Sequence, residues 1–182
     1  MSAPTAEVES AIRQWLDRIV IGLGLCPFAA RPFQENRVRI CVSATADEVE
    51  LLTELQLELT RLSETPAREL ETTIIAIPAM LADFGDYNDF LDRVDALLQE
   101  FEWEGEFQVA SFHPQYQFAD TQPNDAENLT NRAPYPLLHL LREASVEAAL
   151  DSHPDPDRIP QDNIARMRAL SPAQRRALFG DL

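Results

Sequence analysis

The chain has 182 residues, 45 % apolar and 25 % charged, which suits one globular domain with a sizeable core. Its net charge of −16 leaves no general positive surface for nucleic acid, so no nucleic-acid partner is expected. All fifteen basic residues are arginine, which excludes lysine Schiff-base chemistry and a phosphate-loop lysine.

Residues 1–5 read as an N-terminal tail, and "MSAPTAEVES" lacks the basic and apolar segments of a secretory signal. No apolar run approaches the roughly 18 residues that cross a bilayer, so a cytoplasmic protein with no membrane partner is expected. Over 6–22, Val8, Ala11, Ile12, Trp15, Leu16, Ile19 and Val20 recur at helical spacing. Gly22 and Gly24 loosen the end of that helix, and Pro27 disfavours helix at Cys26. "RVRICVS" (37–43) alternates as a strand. "TADE" (45–48) is a capping-box pattern that opens a helix to about Leu62. "TTIIAIP" (72–78) is a continuous apolar run, as in a strand buried on both faces. Asp86 then caps a helix carrying Tyr87, Phe90, Leu91, Val94, Leu97, Leu98 and Phe101, and "EFQVASFH" (106–113) is a third strand.

Beyond it, about twenty residues fit no periodic pattern. A helix is expected from Pro136, followed by a Pro/Asp-rich connector (151–160) to C-terminal helices. The last of these has Ser171 as cap, Pro172 in the first turn and Gly180 as stop. The alternation predicts a single α/β domain over 1–182. Its sheet would be small, three-stranded and mainly parallel, with alternating helices plus C-terminal helices. A ferredoxin-like α+β arrangement is the alternative. Residues 158–182 carry five arginines against two aspartates, which suggests a basic segment docked on an acidic body.

Loops as long as 113–135 are uncommon in compact domains unless they bind something or are disordered. Phe112, Tyr116, Phe118 and Tyr135 are anchors that a disordered linker would lack. In a parallel sheet ligands gather at the carboxyl ends of the strands, where Ser43, Thr45, Asp83, Asp86, Asn88 and His113 fall. Arg132 just ahead of an expected helix start makes a candidate anion site, which Asn128, Asn131, Tyr116 and Arg142 complete. The bland alternative has the asparagines capping turns and Arg132 pairing with a surface acid.

Cys26, His113 and His139 are the candidate catalytic residues. Cys26 precedes a turn whose amides would lower a thiol pKa, and His139 is expected in a helix with Arg142 and Glu143 along one side. The three residue types also suit zinc, but no short ligand spacing supports a metal, and none is assigned. "CPFA" looks like a glutaredoxin "CPFC" without its second cysteine, yet a helix rather than a strand precedes it. Cys41 lies within a strand and reads as a small buried thiol, as Cys26 also would in the simplest account.

Three stretches carry a resemblance: "WLDRIVIGLGLCPFA" (15–29), "FHPQYQFAD" (112–120) and "NLTNRAPYPLLHLLRE" (128–143). Through them the chain resembles family fourteen-fifteen of the domain-of-unknown-function series, from about Ala11 to Ala169. The resemblance implies no established reaction, substrate or cofactor, and no residue role is carried over from it. The expectation from the residues is a small enzyme acting on an anionic small molecule, with its site where the 112–135 loop meets the Cys26 turn. The alternative is a non-catalytic binding or adaptor protein that uses the same loop to recognise a protein partner.

Overall fold

The three strands expected from the sequence form and run in one direction, and a fourth lies between two of them. A computed structural model describes residues 4–180. Its sheet runs in the order β1 (Val38–Val42), β2 (Thr72–Ala76), β4 (Leu137–Arg142), β3 (Phe107–Phe112). β1 and β2 pair in parallel, whereas β4 pairs antiparallel with both β2 and β3. The architecture is therefore α/β, but the sheet is four-stranded and mixed rather than three-stranded.

β4 replaces the helix expected from Pro136. "LLHLLR" has leucines at adjacent positions because both faces of this interior strand are covered, so no polar residue alternates to reveal a strand. The crossover from β2 to β3 is thereby split by β4. That splitting is the one feature shared with the ferredoxin-like alternative, since β1 and β2 are direct neighbours.

Thr5 already opens α1 (Thr5–Trp15), and residues 1–3 of the expected tail lie outside the described residues. α1 continues into a wide turn, Leu16–Ile21, in which Gly22 N–H donates to Asp17 O at 2.9 Å. Val8, Ile12, Trp15, Leu16, Ile19 and Val20 are buried, as their spacing requires. Gly24 has φ +63°, a left-handed conformation that glycine adopts without a Cβ penalty, and it turns the chain into Leu25 and Cys26. α2 (Ala30–Gln34) leads to β1.

Both long helices start at aspartates other than the residues expected to cap them. The Asp47 carboxylate accepts from Val49 N–H and Glu50 N–H to cap α3 (Glu48–Glu64), while the Thr45 hydroxyl accepts from Asp47 N–H. Asp83 accepts from Gly85 N–H and Asp86 N–H to cap α4 (Phe84–Glu100), which puts Asp86 in the first turn.

α3 and α4 cover one face of the sheet, with Leu51, Leu55, Leu59, Tyr87 and Phe90 against Ile75, Leu138 and Leu140. α1 and the C-terminal helices cover the other, with Ile12, Trp15, Met167 and Phe179 in one core with Ile74, Ala76 and Leu137. α5 (Glu143–Ser152) follows β4, and a single turn at Pro156–Arg158 occupies the connector before α6 (Ile159–Ala169). α7 (Pro172–Phe179) has the expected Ser171 cap, with Gln174 completing a capping box. Among the described residues, no helix is long and apolar enough to cross a membrane.

Candidate functional site

The long loop is clasped rather than loose. Its ends meet where His113 N–H donates to Asn131 O at 3.2 Å and Asn131 Nδ2 donates to Ser111 O at 3.1 Å. The buried Asn128 holds its middle: Oδ1 accepts from Phe118 N–H at 2.9 Å, and Nδ2 donates to Gln122 O at 2.7 Å. Asn128 lies in a tight turn, Ala126–Asn131. Tyr116 packs between Phe84 and Phe118 at 5.1 and 5.0 Å between ring centroids, with its hydroxyl 3.4 Å from that of Ser111. Trp15 Nε1 donates to Arg132 O at 2.9 Å and so ties the loop to α1.

The candidate catalytic residues do not assemble into one proton-transfer group. His113 is sealed against α4: Nδ1 accepts from Gln115 N–H at 3.0 Å, which leaves the proton on Nε2 to donate to Leu81 O, also at 3.0 Å. Its ring packs 5.3 Å from Phe84 and 5.1 Å from Tyr87. Burial pushes its pKa down, and both nitrogens are committed to holding the loop.

His139 sits within β4 opposite Ile74 and Ala110. It shares the α1 side of the sheet with Leu137, the side away from His113, because successive strand residues face opposite ways. Its Nε2 is buried without a partner among the described residues, and burial pushes its pKa down to about 4. The expected alignment with Arg142 and Glu143 needed a helix. In the strand, Arg142 faces the α3 side, where Nη2 donates to Leu62 O, Thr65 O and Leu70 O and the guanidinium lies 5.8 Å from the Phe107 ring centre. Arg142 thus fastens the end of α3 to the sheet. Among the described residues, no group of three or more His, Cys, Asp or Glu side chains could hold a metal ion.

Cys26 does lie where the loop meets the α1 turn. It lines a cleft of about 610 Å³ together with Phe112, Phe118, Thr130, Asn131, Ile159 and Ile164. The Phe28 and Ala29 amides act to lower the thiol pKa, as a turn after Cys26 predicts, but burial outweighs them and raises it above its ordinary value. Burial likewise raises the Cys41 thiol, and both cysteines are free. His139 is one ring behind the cleft wall, 6.2 Å from Phe112 between ring centroids. The α6 wall was not foreseen. Its signal was the pair Ile159 and Ile164 beside Asn163, whose Nδ2 donates to Leu25 O at 2.7 Å, while Arg166 Nη1 donates to Gly24 O at 2.9 Å.

The polar groups around the cleft are already engaged. Thr130 Oγ1 donates to Glu127 O, Asn131 bonds Ser111, and Glu127 pairs with Arg168 at 3.2 Å. That pair is the one ion pair by which the basic C-terminal segment meets the acidic body among the described residues; Arg158 pairs within its own segment, with Asp162. Arg132 lies beyond the Ala126–Asn131 turn and lines a separate pocket with Arg175 and Arg176.

Fold and site together define an α/β domain whose clasped loop walls an apolar cleft. The chain belongs to the family described as "Protein of unknown function (DUF1415)", which matches residues 7–177. No curated protein and no solved structure matches it.

Proposed function

We propose that the protein is a cytoplasmic, non-catalytic binding protein that takes a small, mainly apolar molecule in the Cys26 cleft. The observation that carries this reading is the cleft itself: three stretches far apart in sequence, around Cys26, the 112–131 loop and Ile159–Ile164, meet at an apolar cavity of about 610 Å³. That volume is typical of small-molecule sites. Its polar neighbours are satisfied internally, so ligand selection would rest on shape and burial more than on new hydrogen bonds. A neutral Cys26 thiol would act as a soft wall group.

The test uses a neutral hydrophobic fluorophore and the full chain. One saturable site is expected, with affinity falling about tenfold or more in Ile164→Glu, which sets an unpaired carboxylate into the wall. Unsaturable binding, or equal binding by the variant, defeats the reading.

The enzyme reading, with Cys26 attacking an anionic small molecule, is favoured by one observation, the Phe28 and Ala29 amides that act to lower the thiol pKa. His113 and His139 would then serve as proton carriers only after rearrangement. Alkylation of Cys26 by iodoacetamide against pH separates the two readings, with Cys26→Ser subtracting the Cys41 reaction. A rate still climbing beyond about pH 8.5 fits the binding protein, and a plateau below pH 7 fits the nucleophile.

A further inference from the structure

We propose that the pocket on the far side of the Ala126–Asn131 turn is a second site, which binds the phosphoryl group of a small phosphate monoester. This pocket, of about 420 Å³, is lined by Arg132 from the loop, by Arg175 and Arg176 from α7, and by Leu129, Leu170 and Phe179. Among the described residues, no carboxylate is part of that lining. Nine of the fifteen arginines form ion pairs with carboxylates among the described residues. Three of the remaining six converge here, in a chain whose net charge is −16.

Charge balance makes this convergence informative. Docking α7 through the buried Phe179 brings two guanidinium groups to a third, and like charges held at a low-dielectric surface repel. Arg132 is partly consumed, since Nη2 donates to Pro123 O at 2.6 Å and its Nε is buried out of a ligand's reach, with no partner among the described residues, which leaves Nη1. Burial acts on its charge with no carboxylate opposing it among the described residues, unlike at Arg37 or Arg39, where glutamates do. Arg175 gives one long bond, Nη2 to Met167 O at 3.3 Å. The side chains thus retain donors for an oxyanion.

Three guanidinium forks suit a dianion with three terminal oxygens better than a carboxylate, which one fork saturates. The apolar part of the lining suits the ester's organic body. Lysine-based phosphate recognition is absent from this chain, so planar arginine forks are the means available.

The experiment is calorimetric titration of the full chain with inorganic phosphate and with phenyl phosphate, at ionic strength matched by sodium chloride. Saturable one-site binding is expected, with phenyl phosphate about tenfold tighter because its ring is buried. Arg176→Gln, an exposed position whose change spares the core, should weaken both ligands about tenfold, and Arg132→Met should do so at least as strongly. Fluorophore binding in the Cys26 cleft should be unchanged in Arg176→Gln, which keeps the two sites experimentally separate. Heat no greater than that of chloride, equal affinity for the two ligands, or unaltered binding by both variants overturns the proposal. So does binding that emerges only in Asp181→Asn, since the chain's own carboxylate would then be the occupant.

Discussion

The cleft at Cys26 and the arginine pocket are two sides of one short turn, Ala126–Asn131, and they are built on opposite principles. On the cleft side Thr130 and Asn131 have bonded to the protein itself, so what faces outward is mostly apolar. On the other side the side chains are charged and lack carboxylate partners among the described residues. A surface whose polar groups are satisfied discriminates by shape and burial, whereas one with unspent donors discriminates by charge. The turn between them needs to be rigid for either to work, and the keystone is Asn128.

Asn128→Ala should therefore have the largest effect. It removes an amide sealed in the protein that bonds Phe118 N–H and Gln122 O, and it leaves those backbone groups in search of new partners. A loss of about 3 kcal/mol in urea unfolding is expected, together with weaker fluorophore and phosphate binding. Loss at only one of the two sites would show that the turn is not their common support. A variant as stable as the parent would show that the loop is not held by this residue.

Much of this arrangement was legible in the sequence, and the failures have physical causes. α1, β1 and β3 were legible from a single period, β2 from a short apolar run rich in β-branched Thr and Ile, and α7 from an explicit cap. β4 was not, since an interior strand covered on both faces loses the alternation that identifies strands, and leucine is an excellent helix former. That one error carried His139 and Arg142 into a shared helical face, when the strand sends them to opposite sides of the sheet. The cap positions slipped because several Asp and Thr residues stand near each helix start, and only backbone geometry selects Asp47 and Asp83. Cys26 and the loop were correctly sensed as neighbours. What the sequence could not convey is that α6 closes the cleft, or that Arg132 faces Arg175 and Arg176, because those contacts join segments with no shared local pattern.

The cleft side also holds the most pH-sensitive group. His139 lies behind Phe112 with Nε2 unpartnered and a pKa pushed down to about 4, against about 6.5 in an unfolded chain. A base with a depressed folded pKa contributes its full stability above about pH 6.5 and loses it as pH falls toward 4, because only the unfolded chain takes up the proton readily. Between pH 7 and pH 5 the cost is about 2 kcal/mol by linkage. His139→Leu fills similar space without a titrating group. Measured by urea unfolding, the wild type should lose about 2 kcal/mol relative to this variant over that interval. Parallel curves would mean that the imidazole reaches water or a partner, and that the cleft's back wall is more polar than its front. The expected relative loss would instead make the apolar cleft sensitive to mild acid. The arginine pocket has no counterpart to this, since guanidinium groups keep their charge throughout the range. A phosphate monoester, which itself titrates near pH 6, should lose affinity there only through its own protonation. The pH profiles of fluorophore binding and phosphate binding would then differ in their cause, one set by the protein and the other by the ligand.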